Sequence, residues 1–366
     1  MMNFRHLTAL LLGIFVLSCT QKSTKMDLLI GTYTDQTSEG IYKVSFDTQT
    51  GELSDLQLAV EAASPSYLSI SPDHKYVYAV GERGDGAVVS YAWGKDGLQR
   101  INQVSSMGIN PCYVDFSADK KLVAVANYSS GNGAVYAVAE DGSIVGEPST
   151  YQHEGVGLDS ANRQEAAHAH CALFSKDSRF VYVVDLGIDQ VVGYPVVDGA
   201  IGEGFTALQL TPGDGPRHMV FHPTKNLAFL INELSNSVIS IDVDTETGRL
   251  TEIDRANTVP EDFTEHSQCA DIHLSSDGKF LYGSNRGHDS IAIFSVGESG
   301  ELERIGVESV QGKWPRNFTL SPDEKFLLVA NKDTDNITVF SRDPKTGLLS
   351  YTDQEIEVSR PVCLKF

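Results

Sequence analysis

Six side chains that can bind an anion or move a proton recur at two fixed positions of this sequence: His170, Arg217, Glu233, Arg286, Arg316 and Lys332. A histidine and a carboxylate can exchange protons with water or a leaving group, and the four cations can hold negative charge as it develops. The set therefore suits acid–base chemistry on a small anionic or anion-forming molecule. The first position is the second residue of seven similar segments: PSYLSIS from Pro65, PCYVDFS from Pro111, AHCALFS from Ala169, PRHMVFH from Pro216, CADIHLS from Cys269, PRNFTLS from Pro315 and PVCLKF from Pro361. It reads Ser66, Cys112, His170, Arg217, Ala270, Arg316 and Val362. The second position lies sixteen residues later and reads Glu82, Tyr128, Leu186, Glu233, Arg286 and Lys332, with Thr32 as its N-terminal counterpart. The reactive residues fall in four consecutive repeats, while the other repeats carry mostly small or neutral groups.

These residues need elements that bring them together. The segments start 46, 58, 47, 53, 46 and 46 residues apart. A strand-and-turn repeat of about 45–50 residues is the signature of a β-propeller with one blade per repeat, so the expected fold is all-β with seven blades. Each apolar segment leads into a polar turn, such as SPDHK at Ser71 or SSDGK at Ser275, and then a second β-rich run, such as YVYAV or FLYGS. A hairpin centred on that turn sets the two positions opposite each other at one rim. If the first strand is innermost, that rim is a mouth of the central channel. Residues 28–58 hold later strands of a blade without its first strand, and the last six residues supply one. The C-terminal strand is therefore expected to join the N-terminal blade and close the ring, removing an exposed sheet edge. The longest insertion runs from about residue 147 to residue 167, and long insertions in regular repeats are usually functional.

Composition narrows the partners. With 28 Lys and Arg against 49 Asp and Glu, the net charge is −21, which disfavours nucleic acid or an anionic membrane surface. Arg5 and His6 precede LTALLLGIFVL, then Ser18, Cys19 and a polar run. Residues 1–19 thus read as a signal peptide whose Val16-Leu17-Ser18-Cys19 junction resembles a bacterial lipobox, with Cys19 as the lipidation site. Residues 20–26 read as a linker and 27–366 as one propeller. The expectation is an exported, membrane-anchored lipoprotein of the periplasm or cell surface of a bacterium, touching the membrane only through its lipid and otherwise monomeric. Cys112, Cys171, Cys269 and Cys363 lie at strand positions with no C-x-x-C spacing, so buried free thiols are expected. His168-x-His170 places two imidazoles on one strand face, but with no third ligand at a recognisable spacing neither a metal nor another cofactor is expected. No G-x-S-x-G, H-E-x-x-H or P-loop occurs, which argues against a serine hydrolase, a zincin or an NTPase.

The strings IGTYT at Ile30, RQEAAHAHCALFSKDSRFVYVVDLGID from Arg163, GDGPRHMVFHPTKNLAFLINELSNSV from Gly213, DIHLSSDGKFLYGSNRGHDSIAIF from Asp271 and PRNFTLSPDEKFLLVANKDTDNITVF from Pro315 resemble the seven-bladed 6-phosphogluconolactonase family. That family is related to the carboxymuconate lactonising propellers, and the resemblance covers essentially all of the mature chain. It implies a site of one His, two Arg and one Glu at the channel mouth, matched here by His170, Arg217, Glu233 and Arg286, with His168 as an alternative to His170. Arg316 and Lys332 have no counterpart in that set; their charge suits a substrate phosphate. The implied activity is hydrolysis of a small-molecule lactone such as 6-phosphoglucono-1,5-lactone or an unphosphorylated relative. Glu233 or His170 would act as base, and Arg217 and Arg286 would hold the oxyanion. A lipid-anchored binding propeller for a glycan or protein, or a muconate-type cycloisomerase, are the rival readings. Lactonases of this family serve a cytosolic route, so the export signal supports lactone hydrolysis more firmly than a phosphorylated substrate.

Overall fold

The computed structural model describes residues 24–366 apart from Asp96 and Lys120. The expected signal peptide, the expected lipidation site Cys19 and most of the expected linker lie outside the described residues. Among the described residues the strands form seven antiparallel sheets, six of four strands and one of five, and there is no helix. In chain order, the innermost strands of blades 1 to 6 are Leu68–Ile70, Pro111–Phe116, Ala169–Phe174, Pro216–Phe221, Gln268–Leu274 and Pro315–Leu320. Blade 7 takes its inner strand, Pro361–Lys365, from the C-terminus and the rest, Lys25–Thr32, Gly40–Asp47 and Leu53–Glu61, from the N-terminus. Ile30 pairs with Leu364 and Gly31 with Cys363, closing the ring as the sequence implies.

The repeated polar turn fixes each hairpin. In blade 1, Ser71 Oγ donates to Asp73 Oδ1 at 2.8 Å and accepts the amides of Lys75 and Tyr76. Ser117, Ser175, Ser275 and Ser321 donate in the same way to the aspartate two residues on. In blade 4 His222 takes the serine's place, its Nδ1 accepting the amides of Thr224 and Lys225, so this histidine is structural. A side chain that caps its own turn sets the register of the two strands it joins. That register delivers the two sequence positions to one end.

The core lies between blades. Tyr78 of blade 1 stacks on Phe116 of blade 2 with centroids 4.9 Å apart, and Phe46 of blade 7 meets Phe326 of blade 6 edge to face. Phe46 also packs against the last residue, Phe366, so the closing strand is held by apolar contact as well as by its ladder. The buried tyrosine hydroxyls are satisfied by one recurring device: Tyr78, Tyr182 and Tyr282 donate to the carbonyls of Gly142, Gly248 and Gly347 of the following blade.

Candidate active site

The inner strands do not run straight to the mouth. The register between inner and second strand slips at Pro111/Tyr113, Ala169/Cys171, Pro216/His218 and Pro315/Asn317, so Cys112, His170, Arg217 and Arg316 are each the extra residue of a β-bulge. A bulge re-aims one side chain and bends its strand. Here it turns the first sequence position into the channel. The second position is held by one repeated backbone bond. The amides of Glu82, Tyr128, Glu233 and Lys332 donate to the carbonyls of Ser64, Asn110, Gly215 and Trp314, just before each inner strand. Those four carbonyl residues have left-handed φ values of 44°, 55°, 57° and 62°, and three of them are not glycine, so each of the three carries local backbone strain. In blade 7 the residue making this bond is Tyr33, to Arg360, and not Thr32. Thr32 is buried one residue earlier, bonded to Ser38 and Gly40, which corrects the sequence register by one.

Around the mouth, Tyr33, Glu82, Cys112, Tyr128, Arg163, His170, Glu233, Gln268, Arg286 and Arg316 line a cavity of about 350 Å3. At its centre Glu233 is clamped by three guanidinium groups. Its Oε1 accepts from Arg163 Nη2 at 2.6 Å, and its Oε2 lies 3.0 Å from Arg217 Nε and 2.8 Å from Arg286 Nη2. Burial pushes its pKa up, but Arg286, Arg217 and Arg163 outweigh burial and hold the carboxyl well below the usual range. It is therefore a permanent anion, well suited to orienting cations and poorly suited to taking a proton.

Each arginine is fixed from behind. Arg217 Nη1 donates to the Ala270 carbonyl at 2.6 Å and lies 3.1 Å from His218 Nε2, while His218 Nδ1 sits 2.8 Å from Asp271. Burial, then Arg217, lowers the His218 pKa to about 3, so a neutral imidazole donating to Asp271 presents its other nitrogen to Arg217. Arg286 donates to the Cys269 carbonyl and lies over the Trp314 ring. Arg217 Nη2 and Arg286 Nη1 have no hydrogen-bond partner among the described residues; Arg286 lines the cavity, so its Nη1 is a donor for a ligand oxygen.

Arg163 comes from the long insertion, which the sequence marked as functional without selecting a residue. It also donates to Gln268 Oε1 at 2.9 Å and to the Tyr128 hydroxyl at 3.2 Å. It is the insertion's one Lys or Arg between residues 147 and 167, and that was the signal available in the sequence. The loop is pinned behind it: Gln164 Nε2 donates to the Leu186 carbonyl, and a Cβ on Gly187 would lie 1.8 Å from the Ala166 carbonyl oxygen. Only glycine allows that approach.

The facing wall is built differently. Arg316 lies over the Tyr33 ring at 5.4 Å and forms no ion pair among the described residues. Glu82 Oε1 accepts from the Tyr33 hydroxyl at 3.4 Å, and its Oε2 is buried with no hydrogen-bond partner. His170 lies with Nδ1 3.7 Å from Cys112 Sγ; burial, Arg217 and His218 keep it neutral by lowering its pKa well below 6.5. Burial likewise pushes the Cys112 thiol up.

The structure thus gathers His170, Arg217, Glu233, Arg286 and Arg316, and adds Arg163, Glu82, Tyr33, Tyr128 and Gln268. Three expected residues fall outside the cavity lining. Arg217 is buried and meets the site through Glu233. His168, offered as an alternative to His170, stacks on Tyr128 at 4.4 Å, with Nδ1 3.0 Å from the Tyr128 carbonyl and Nε2 3.2 Å from Glu165. Lys332 pairs with Asp333 at 3.0 Å and lies over Trp314, the ring that Arg286 also covers.

The family model for the seven-bladed β-propeller lactonases matches residues 27–366. A 6-phosphogluconolactonase of Bacillus subtilis is 39% identical over 347 residues, covering 94% of this chain and 99% of its own length. Among solved structures, a Lactobacillus plantarum protein superposes with a TM-score of 0.87 at 36% identity, over 93% of this chain and 99% of its own. A periplasmic gluconolactonase of Pseudomonas aeruginosa superposes with a TM-score of 0.85 at 33% identity, over 93% and 98%.

Proposed function

The chain belongs to the seven-bladed β-propeller lactonase family, and from that premise we propose that it hydrolyses a sugar lactone, 6-phosphoglucono-1,5-lactone or its unphosphorylated relative, to the aldonic acid. The observation that carries this reading is the Glu233 clamp. It holds Arg217 and Arg286 in place, and Arg286 lines a cavity at the small end of the size range for ligand pockets. Water addition to a lactone carbonyl moves charge onto its oxygen, and preorganised donors that need no rearrangement stabilise that charge best. Arg217 and Arg286 are the candidate oxyanion donors. Arg163 joins the clamp from the insertion and closes the rim over it.

Arg316 faces the same cavity without an acidic partner in ion-pair contact, and is the group available to a substrate anion. With Lys332 turned to Asp333 and Trp314, a phosphate would meet one free cation here, which the unphosphorylated lactone does not need. Export and lipidation at Cys19 belong to the same proposal. They rest on the leader-like residues 1–19 and would put the reaction in the periplasm or at the cell surface.

The test is to follow acid release from both lactones against spontaneous hydrolysis, using protein from Lys22 onward. Acceleration that disappears in Arg286→Ala supports the reading, and the preferred lactone identifies the substrate. Affinity for a glycan without turnover would favour the binding-module reading instead.

A further inference from the structure

Lactone hydrolysis needs a group that takes a proton from water and returns it to the ring oxygen, and the clamp contains none. Both oxygens of Glu233 are committed to arginines. His170 is surrounded by Arg217, Arg316 and His218, which oppose any positive charge on it. Resting on the lactonase reading above, we propose that Glu82, on the opposite wall of the cavity, is the general acid–base of this site.

The geometry is specific. Glu82 occupies in blade 1 the register position that Glu233 occupies in blade 4, three blades around the ring, with its amide held by Ser64 as Glu233's is by Gly215. A lactone lying against Arg217 and Arg286 therefore has Glu82 across the cavity from it. Glu82 lines the same cavity, and its Oε2 is buried with no hydrogen-bond partner among the described residues, so it is uncommitted where both oxygens of Glu233 are engaged. Its other oxygen is oriented by the Tyr33 hydroxyl of blade 7. The charged and titratable groups facing it are Tyr33, Arg316 of blade 6, Arg217 of blade 4 and Cys112 of blade 2, with the Ser66 hydroxyl from its own blade. Burial raises its pKa above the usual carboxylate value, against the opposing pull of Arg316. A stronger base closer to working pH results, the reverse of Glu233.

The step balances as follows. Glu82 carboxylate takes one proton from water while the hydroxyl oxygen bonds to the lactone carbonyl carbon, giving a tetrahedral oxyanion beside Arg217 and Arg286. As the carbonyl re-forms, the carbon–ring-oxygen bond breaks, and the proton on Glu82 passes to the departing ring oxygen. The carboxyl product ionises to solvent and Glu82 returns as carboxylate.

The experiment compares wild type, Glu82→Gln, Glu82→Asp and Glu82→Ala on gluconolactone and 6-phosphogluconolactone, with circular dichroism and melting midpoints to establish folding. Glu82→Gln should lower kcat by about 10²- to 10⁴-fold with KM little changed. Glu82→Asp should retain part of the rate, and formate should restore turnover to Glu82→Ala. Wild-type kcat/KM should fall on the acid side with an apparent pKa above the ordinary glutamate value, and that limb should vanish in Glu82→Gln. Wild-type turnover in Glu82→Gln, or an acid limb that persists there, overturns the assignment and leaves lactone hydrolysis standing. A wild-type protein that accelerates neither lactone overturns both.

Discussion

Replacing Glu233 by glutamine separates an orienting carboxylate from a catalytic base, because the two roles predict different losses. The side chain is about 2% exposed and meets three guanidinium groups at 2.6, 2.8 and 3.0 Å. Removing its charge leaves Arg217 and Arg286 buried without a counter-ion. Breaking a buried pair from one side costs about 3–5 kcal/mol. Glutamine keeps the volume and one acceptor oxygen, so the loss belongs at the low end, about 3 kcal/mol. The sign of the pH dependence follows from the depressed pKa. Burial works against ionisation, but Arg286, Arg217 and Arg163 win, so the folded pKa lies below the unfolded value of about 4.3. The stabilisation is then complete above about pH 4.3 and is lost as pH falls towards the folded pKa, at about 1.4 kcal/mol per pH unit. Wild type and Glu233→Gln should therefore differ most at pH 7, and the gap should narrow by more than about 1 kcal/mol at pH 3. Denaturation midpoints at both pH values, followed by circular dichroism, measure this directly. Turnover should fall with the gap, because the oxyanion donors lose their anchor. Equal midpoints at pH 7, or a gap that does not change down to pH 3, would refute the clamp as the source of Glu233's ionisation.

Arg286→Ala should reduce kcat by about 10²- to 10³-fold, the usual loss on removing an oxyanion donor. Arg286→Lys should rescue little, since Arg286 Nη2 serves both the Cys269 carbonyl and Glu233, and lysine has no second nitrogen to offer the oxyanion; full rescue would mean that charge alone suffices. Lys332→Met should leave turnover of both lactones close to wild type, and a selective loss on the phosphorylated lactone would return Lys332 to the substrate site. The four cysteines among the described residues are free and buried, and burial raises Cys171 and Cys269 to about 12 and Cys363 to about 11, with Cys112 also pushed up. Iodoacetamide at pH 8 should therefore spare both the native thiols and activity; rapid alkylation of Cys112 would show that the neighbouring arginines stabilise its thiolate.

The repeat made the fold legible, and with it the two positions at the mouth, because a turn that caps itself forces a fixed offset between strands. The blade count, the ring closure by residues 361–366 and the convergence of His170, Arg217, Glu233, Arg286 and Arg316 all followed from that offset. Its limits were also physical. Spacing alone gives a residue's height along a strand, and the bulge that turns Cys112, His170, Arg217 and Arg316 into the channel depends on how two strands slip past each other. Lys332 shares its position with Glu233, yet its long stem lies along Trp314 and its charge is taken by Asp333. Arg163 lies outside the repeat, so no offset could place it.

Glu82 and Glu233 show why residue type at a repeat position does not decide chemistry. Both end the second strand of their blade, and the same kind of backbone bond holds each amide. Glu233 receives one arginine from its own inner strand, one from the next blade and one from the insertion. Glu82 has a serine at the corresponding inner position, a tyrosine from the preceding blade and two arginines, Arg316 and Arg217, neither in ion-pair contact among the described residues. Three close cations outweigh burial and lower one pKa; two more distant cations do not, and burial raises the other. Had Ser66 been arginine, or Arg217 serine, the two carboxylates would have moved towards each other in chemistry. The sevenfold scaffold supplies equivalent positions, and the unequal distribution of arginine among them divides the site into a fixed-charge wall and a proton-exchanging wall.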